Sequence, residues 1–332
     1  MKIAVFSAKR YDREYLDAVN VAAGHTLKYH EAPLDLDTVH LAAGYAAVCI
    51  FVNDKADAEV LAQLKAGGTG LVALRCTGFN NVDLKAAAQL GLKVVRVTDY
   101  SPYSVAEHAV ALLLAINRKI HRAYNRTRDS NFALDGLMGF DLHGKSVAVI
   151  GTGKIGRVFA KIMVGFGCNV IGYDKYPSEE FVALGGHYAV PGEIGRDADI
   201  VSLHAPLTPE TYHIINADTI ARAKRGALLI NTSRGGLVDT EAVIEGLKSG
   251  QIGGFAADVY EQEAGIFFRD LSSVVVTDDV LQRLISFPNV IITGHQAFFT
   301  REAITTICET TLKSATEFAA GQPLTNEIAA GG

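Results

Sequence analysis

The sequence predicts an α/β protein built on two doubly wound parallel sheets, and three observations carry that expectation. Its 332 residues suit two domains at about 150 each. Two separate series of short apolar runs alternate with helical patterns along the chain. Glycine numbers 32, above the usual ~7%, and supplies the tight turns such alternation needs.

The first series is Ile3–Phe6, Thr26–His30, Ala47–Val52, Leu71–Leu74 and Lys93–Val97. Between these runs lie Ala56–Ala66 and Val82–Leu90, whose apolar positions recur at helical spacing. At Ser101-Pro102 a new helix can start, and VAEHAVALLLAIN (105–117) is apolar enough to be both core and a subunit contact. The polar run RKIHRAYNRTRDSNF then leads into the second series. Its strands are Ser146–Ile150, Asn169–Tyr173, Ile200–His204, Ala227–Asn231, Gly254–Ala257 and Val290–Thr293, six in all. After Thr293 only a helix, Arg301–Ala320, is expected, with little second-domain sheet left to cover. The expectation is therefore a discontinuous first domain, 1–100 with 298–332, around an inserted domain at 101–297.

Composition narrows the function classes. With 49% hydrophobic and 20% charged residues the chain buries a real core and is not disordered. A net charge of −5 without a Lys/Arg block gives nucleic acid no electrostatic footing. No apolar run reaches the ~18 residues of a membrane span, and the N-terminal run reads as a buried strand rather than a signal peptide. Cys49, Cys76, Cys168 and Cys308 lie far apart without zinc spacing, which fits reduced thiols in the cytoplasm and no metal site.

Strand 146–150 runs straight into Gly151-Thr152-Gly153-Lys154-Ile155-Gly156 and then a helical stretch. This strand–glycine loop–helix context makes the GxGxxG a dinucleotide fingerprint. Gly151 permits the turn, Gly153 lets a pyrophosphate near the backbone, and Gly156 lets helix and strand pack closely. The phosphates then meet the helix N-terminus. Asp174 follows 18 residues beyond Gly156, at the end of the next strand. A carboxylate there accepts from ribose hydroxyls and repels a 2′-phosphate, so NAD is expected over NADP, with Lys175 beside it as the one opposing charge.

Ligands of open parallel sheets bind beyond the carboxyl ends of the strands. Three charged groups follow three successive strands there: Arg234, a glutamate of DVYEQE (258–263), and His295. Reduction of a 2-keto acid has uses for all three. Arginine's fork suits a carboxylate and a carbonyl oxygen. Histidine titrates where an alkoxide can be protonated. A carboxylate on the far ring nitrogen fixes the tautomer and favours the charged ring. Taken alone, His295 would more often be a satisfied structural histidine and Arg234 a loop residue pairing with a surface acid, and His108, His121, His143, His187 and His213 are read as structural.

At these motifs the chain resembles the D-isomer-specific 2-hydroxyacid dehydrogenases over essentially its whole length. The likeness runs through RCTGFNNVDL (75–84), Tyr100, VAEHA (105–109), GTGKIG, HAPLTPET (204–211), NTSRGGLVD (231–239), DVYEQE and TGHQAFFT (293–300). The resemblance implies a Rossmann NAD domain inserted in a flavodoxin-like substrate domain. It implies Arg234 for substrate, His295 as acid/base, and Glu263 rather than Glu261 behind it. It implies NAD contacts from Lys154, Ile155, Asp174, Pro206, Thr232, Ser233 and Asp258. It sets the Thr77–Gly78 backbone and Tyr100 at the substrate carboxylate and Phe298 at its side chain. Subunit pairing through the helix after Tyr100 is implied too, as a homodimer or homotetramer.

The activity so expected is reduction of pyruvate to D-lactate, since Phe79, Tyr100, Phe298 and Phe299 suggest a narrow pocket. A bulkier 2-keto acid is the nearest rival, because one methylene is worth only ~1–3 kcal/mol. An NAD-sensing corepressor is the rival of another class, disfavoured by the lack of a tail or basic patch.

Overall fold

The computed structural model describes residues 1–189 and 195–328. Its first elements are β1 (Lys2–Val5), α1 (Arg10–Ala23), β2 (Thr26–Tyr29), β3 (Ala47–Ile50), α2 (Ala58–Ala66), β4 (Leu71–Leu74), α3 (Leu84–Gln89) and β5 (Lys93–Val95). Two helices follow, α4 (Pro102–Asn117) and α5 (Ile120–Arg128). Then come β6 (Ser146–Ile150), α6 (Lys154–Gly165), β7 (Asn169–Tyr173), α7 (Glu179–Ala183), β8 (His187–Tyr188) and β9 (Ile200–Leu203). The chain continues with α8 (Ala217–Arg222), β10 (Ala227–Asn231), α9 (Thr240–Ser249), β11 (Ile252–Ala257), α10 (Asp279–Ile285), β12 (Val290–Ile292) and α11 (Arg301–Ala319). It divides into two compact units: Met1–Ser101 with the chain from Phe299 on, and Pro102–Phe298. The expected first-domain segment 298–332 extends four residues past the described ones.

The first unit holds a parallel five-stranded sheet in the order β2-β1-β3-β4-β5. This is the flavodoxin-like order, with its switch point between β1 and β3. Buried on both faces, β3 and β4 read as unbroken apolar runs, AVCI and LVAL. The helix α11 belongs to this unit: its Phe318 ring would lie 2.8 Å from a Cβ placed on Gly70, just before β4. Its Thr316 also meets His25 Nε2 at 3.0 Å.

The second unit holds a seven-stranded parallel sheet, β12-β11-β10-β9-β6-β7-β8. Numbered within the unit, the order from the far edge is 3-2-1-4-5-6-7, the dinucleotide-binding order with one strand added. The expected count of six omits β8. This two-residue edge strand, His187–Tyr188, has no apolar run to betray it. Its pairing with Ile171 and Gly172 of β7 makes it a strand. The helix α4 covers the sheet: Ala106, Leu113 and Ile116 bury against Phe159 and Met163 of α6 and Ile230 of β10. Close approach to β11 requires Gly254, where a Cβ would sit 2.9 Å from Ile116 Cδ1. Among the described residues no helix is long and apolar enough to cross a membrane.

Candidate active site

The switch point of the second sheet lies between β6 and β9, neighbours with opposite onward winding. Gly151 leaves β6 with φ +93, and its N–H donates to Tyr173 O at 2.8 Å. A Cβ there would lie 2.6 Å from Ala205 N, so the loop can pass β9 only as glycine. A Cβ on Gly156 would lie 2.0 Å from Gly151 O. Gly153, by contrast, faces open space, and caps α6 without any side-chain hydrogen bond. Elsewhere Asp57, Asp83, Asn216, Asp239, Asp278 and Thr300 cap their helices with side-chain oxygens. The start of α6 therefore has no side-chain cap and leaves space beside Gly153, where a helix N-terminus favours an anion.

Asp174, at the end of β7, stands beside this loop. Its Oδ2 accepts from Thr152 N at 2.6 Å and Thr152 Oγ1 at 3.1 Å, and its Oδ1 from Tyr176 N at 2.9 Å. Thr152 is 1% exposed and also meets Tyr188 OH at 2.6 Å, so the unforeseen strand β8 braces the glycine loop. Neither Thr152 nor Tyr188 was indicated by sequence. Lys175 turns to the ring of Tyr176, 5.9 Å from its centroid.

Next come the loops after β9 and β10. Pro206 is exposed, and its carbonyl accepts from Thr211 Oγ1 at 2.6 Å. Thr232 is buried, yet its hydroxyl has no hydrogen-bond partner among the described residues. An orphaned hydroxyl and an uncapped helix beside a glycine cradle are the features a dinucleotide would satisfy. The residues present thus fit NAD. Ser233 donates to Ala205 O at 2.6 Å, tying the two loops together. Arg234 is half-buried; its Nη1 donates to Ser233 O at 2.7 Å, while its own carbonyl accepts from Asn231 Nδ2 at 2.8 Å.

Strand register aligns the last two loops with Arg234. Asn231 pairs with Ala257, and Ala257 with Ile292, so β10, β11 and β12 end level. One residue on, Asp258 is completely buried and accepts from Gln296 N at 2.9 Å and Ala297 N at 2.7 Å. It also accepts from Thr293 Oγ1 and lies 3.5 Å from His108 Nε2. Burial pushes this carboxyl up, but the bonds from His108, Thr293 and the two backbone amides outweigh it and hold the group below its ordinary range. Its visible work is to fasten the loop that carries His295.

His295 sits in that loop in the left-handed region, φ +55, where a non-glycine residue is strained by about 1–3 kcal/mol. Its Nδ1 pairs with Glu263 Oε1 at 3.0 Å, and Glu263 Oε2 accepts from Tyr260 N at 3.2 Å. Among the described residues Nε2 of His295 has no hydrogen-bond partner. A carboxylate on Nδ1 and an unused Nε2 is an arrangement that can hold a proton and deliver it. Glu261 goes elsewhere: Oε1 to His213 Nε2 at 2.5 Å and Oε2 to Thr240 Oγ1 at 2.9 Å.

The other expected residues lie at the carboxyl edge of the first sheet or at the unit boundary. Thr77 and Gly78 follow β4, held by Arg96 Nη1 on Thr77 O at 3.1 Å and Cys76 Sγ on Gly78 O at 3.2 Å. Ahead of them, buried Arg75 pairs with Asp12 at 3.0 Å and donates to Ser7 O at 3.0 Å, linking β4 to the end of β1. Tyr100 falls in the first unit and Phe298 is the last residue of the second.

Similarity to known proteins shows the family. Residues 110–297 match the NAD binding domain of the D-isomer specific 2-hydroxyacid dehydrogenases. The chain is 49% identical over 328 residues to D-lactate dehydrogenase of Escherichia coli, covering 99% of this chain and all of that one. It is 51% identical over 330 residues to a 2-hydroxyacid dehydrogenase homolog of Zymomonas mobilis, again covering 99% and 100%. The solved structure of the pyruvate reductase of Chlamydomonas reinhardtii superposes with a TM-score of 0.94 at 43% identity, over 98% of both chains. The chain belongs to the D-isomer specific 2-hydroxyacid dehydrogenases, oxidoreductases that act on a CH–OH group with NAD.

Proposed function

We propose that the protein is an NAD-dependent D-lactate dehydrogenase, interconverting pyruvate and D-lactate. The observation that carries the chemistry is the pairing of His295 Nδ1 with Glu263, in register with the loop of Arg234. NADH, when bound, supplies the hydride. Lys154, Ile155 and the backbone around Gly153 would hold its phosphates, Asp174 its ribose, and Pro206, Thr232, Ser233 and Asp258 the rest. His295 gives its Nε2 proton to the carbonyl oxygen during reduction and takes it back during oxidation. Glu263 keeps the ring in the tautomer and orientation this needs. Arg234 grips the keto acid with its planar fork and polarises the carbonyl.

Pyruvate is favoured by whole-length similarity to a D-lactate dehydrogenase and to a pyruvate reductase. For the substrate's carboxylate and methyl we assign the Thr77–Gly78 backbone, Tyr100 and Phe298. Four reduced, buried cysteines suit a cytoplasmic enzyme. The exposed apolar Phe132, Leu134 and Met138, after α5, suit a homodimer or homotetramer.

An initial-rate panel of 2-keto acids with NADH, followed by the chirality of the product, tests this reading. Pyruvate is expected to lead and to give the D isomer; a leading branched or aromatic acid would overturn the pyruvate assignment. In the same assay NADH should exceed NADPH in kcat/KM by at least ~10-fold, a like-charge clash at Asp174 being worth ~1.4 kcal/mol or more.

A further inference from the structure

The second histidine–glutamate pair, His213 with Glu261, has no part in the chemistry above, yet it is built with care. His213 is strained like His295, with φ +50, and its ring stacks on Tyr212 with centroids 3.9 Å apart. Its Nε2 is committed to Glu261, so it offers that nitrogen to no substrate. What the pair joins are three loops of the cofactor edge. His213 N donates to Gly236 O at 2.9 Å, and Ile215 bridges to Val238 as an isolated strand contact. Glu261 takes both the N–H and the hydroxyl of Thr240, at 3.3 and 2.9 Å. Between these ties sits Gly235, where a Cβ would lie 2.2 Å from Tyr260 O. The loop after β10 is thus pressed onto the backbone of 260–261 immediately beyond Arg234.

Anchoring on the near side comes from Asn231, whose Nδ2 holds the Arg234 carbonyl. On the far side the backbone ties of Ile215 to Leu237 and Asp239 and the buried side chains of Leu237 and Val238 seat the loop on the core, and His213, Glu261 and Thr240 with the packing of Gly235 fix it to the loop after β11. A guanidinium must be placed within a few tenths of an ångström to make two parallel bonds to a carboxylate, so the backbone beneath it has to be stiff.

We propose that His213 and Glu261 are positioning residues that clamp the Arg234 loop and thereby set the affinity for the 2-keto acid, without taking part in proton transfer. This rests on the functional reading above for its substrate, but the clamp itself can be tested without it. Glu261→Ala should raise KM for pyruvate about tenfold with less than about a threefold change in kcat. Glu261→Gln should restore near-normal values, since its oxygen can still accept from Thr240 and its amide can donate to His213. In an Arg234→Gln background, Glu261→Ala should cost less than about twofold more, because its effect runs through Arg234. Equal losses in both backgrounds would reduce the pair to general stability and overturn the proposal. So would a KM left unchanged by Glu261→Ala. His213→Ala provides the same test if Glu261→Ala does not fold. Hydrogen exchange of peptides spanning 232–241 supplies an activity-free readout: it should quicken in Glu261→Ala while peptides of 146–156 stay protected. If the wild type reduced no 2-keto acid, the functional reading would fail alone, and unchanged exchange at 232–241 would sink the clamp alone.

Discussion

Two histidine–glutamate pairs flank the same loop, DVYEQE, and they differ in which ring nitrogen they use. His295 gives Nδ1 to Glu263 and leaves Nε2 unbonded among the described residues; His213 gives Nε2 to Glu261 and stacks its face on Tyr212. Both histidines are strained at positive φ, both are part-buried, and both carboxylates lie within three residues of each other. Composition, burial and charge therefore do not separate them. Directionality does. A ring anchored through Nδ1 presents Nε2 outward for proton transfer, whereas a ring anchored through Nε2 serves as a crosslink.

The largest expected effect follows at once. His295→Ala should lower kcat by ~10²–10⁴ at every pH, the usual worth of a positioned acid, while His213→Ala should act chiefly through KM. Comparable kcat losses in the two variants, measured under saturating pyruvate and NADH, would erase the distinction. Next in size is Arg234→Lys, which keeps the charge but loses the fork. A loss of ~2–4 kcal/mol in transition-state binding, visible in both kcat and KM, is expected. Less than a threefold fall in kcat/KM would remove Arg234 from substrate binding and leave the clamp without its object. Lys248→Ala, on the exposed face of α9, serves as the control and should change nothing measurable.

A third histidine sharpens the contrast at smaller scale. His204 is enclosed against Phe159 with Nε2 on Ser202 Oγ at 2.9 Å, and burial alone pushes it down to about 3. Its folded value lies below the ordinary one, so between them the unfolded chain binds a proton that the native chain refuses. Stability from this site is complete above about 6.5, is lost as pH falls toward about 3, and loses nothing further below that. His204→Gln should flatten that acid decline, by up to a few kcal/mol, in urea titrations at stepped pH. Parallel curves for variant and wild type would show that His204 does not carry it.

Much of this was legible in the sequence because the signals were periodic or local. Both strand series, the GxGxxG between β6 and α6, and the charged residues after β10, β11 and β12 stand in plain order. Three things were not. The strand β8 is two residues long, so hydrophobic patterning has nothing to register. Asp258 is expected only as a cofactor contact implied by the resemblance, whereas its burial and four partners make it the fastener of the His295 loop. The third is the pairing of the histidines. Residue spacing alone leaves Glu261 and Glu263 equivalent; the resemblance selects Glu263 for His295, 32 positions away, but only side-chain direction in the fold reveals Glu261 as the partner of His213, 48 positions away.

Saturating rates of both reaction directions in Glu263→Ala and Glu261→Ala test the central claim most directly. On the proposed assignment His295 gives its Nε2 proton in reduction and takes it back in oxidation, so losing the carboxylate on its Nδ1 should slow both directions. Glu263→Ala should lower kcat for pyruvate reduction and for D-lactate oxidation about tenfold or more, while Glu261→Ala keeps kcat within about threefold and shows its loss in KM. A kcat unmoved in Glu263→Ala, or one that falls equally in Glu261→Ala, would contradict the assignment of Glu263 as the partner of His295.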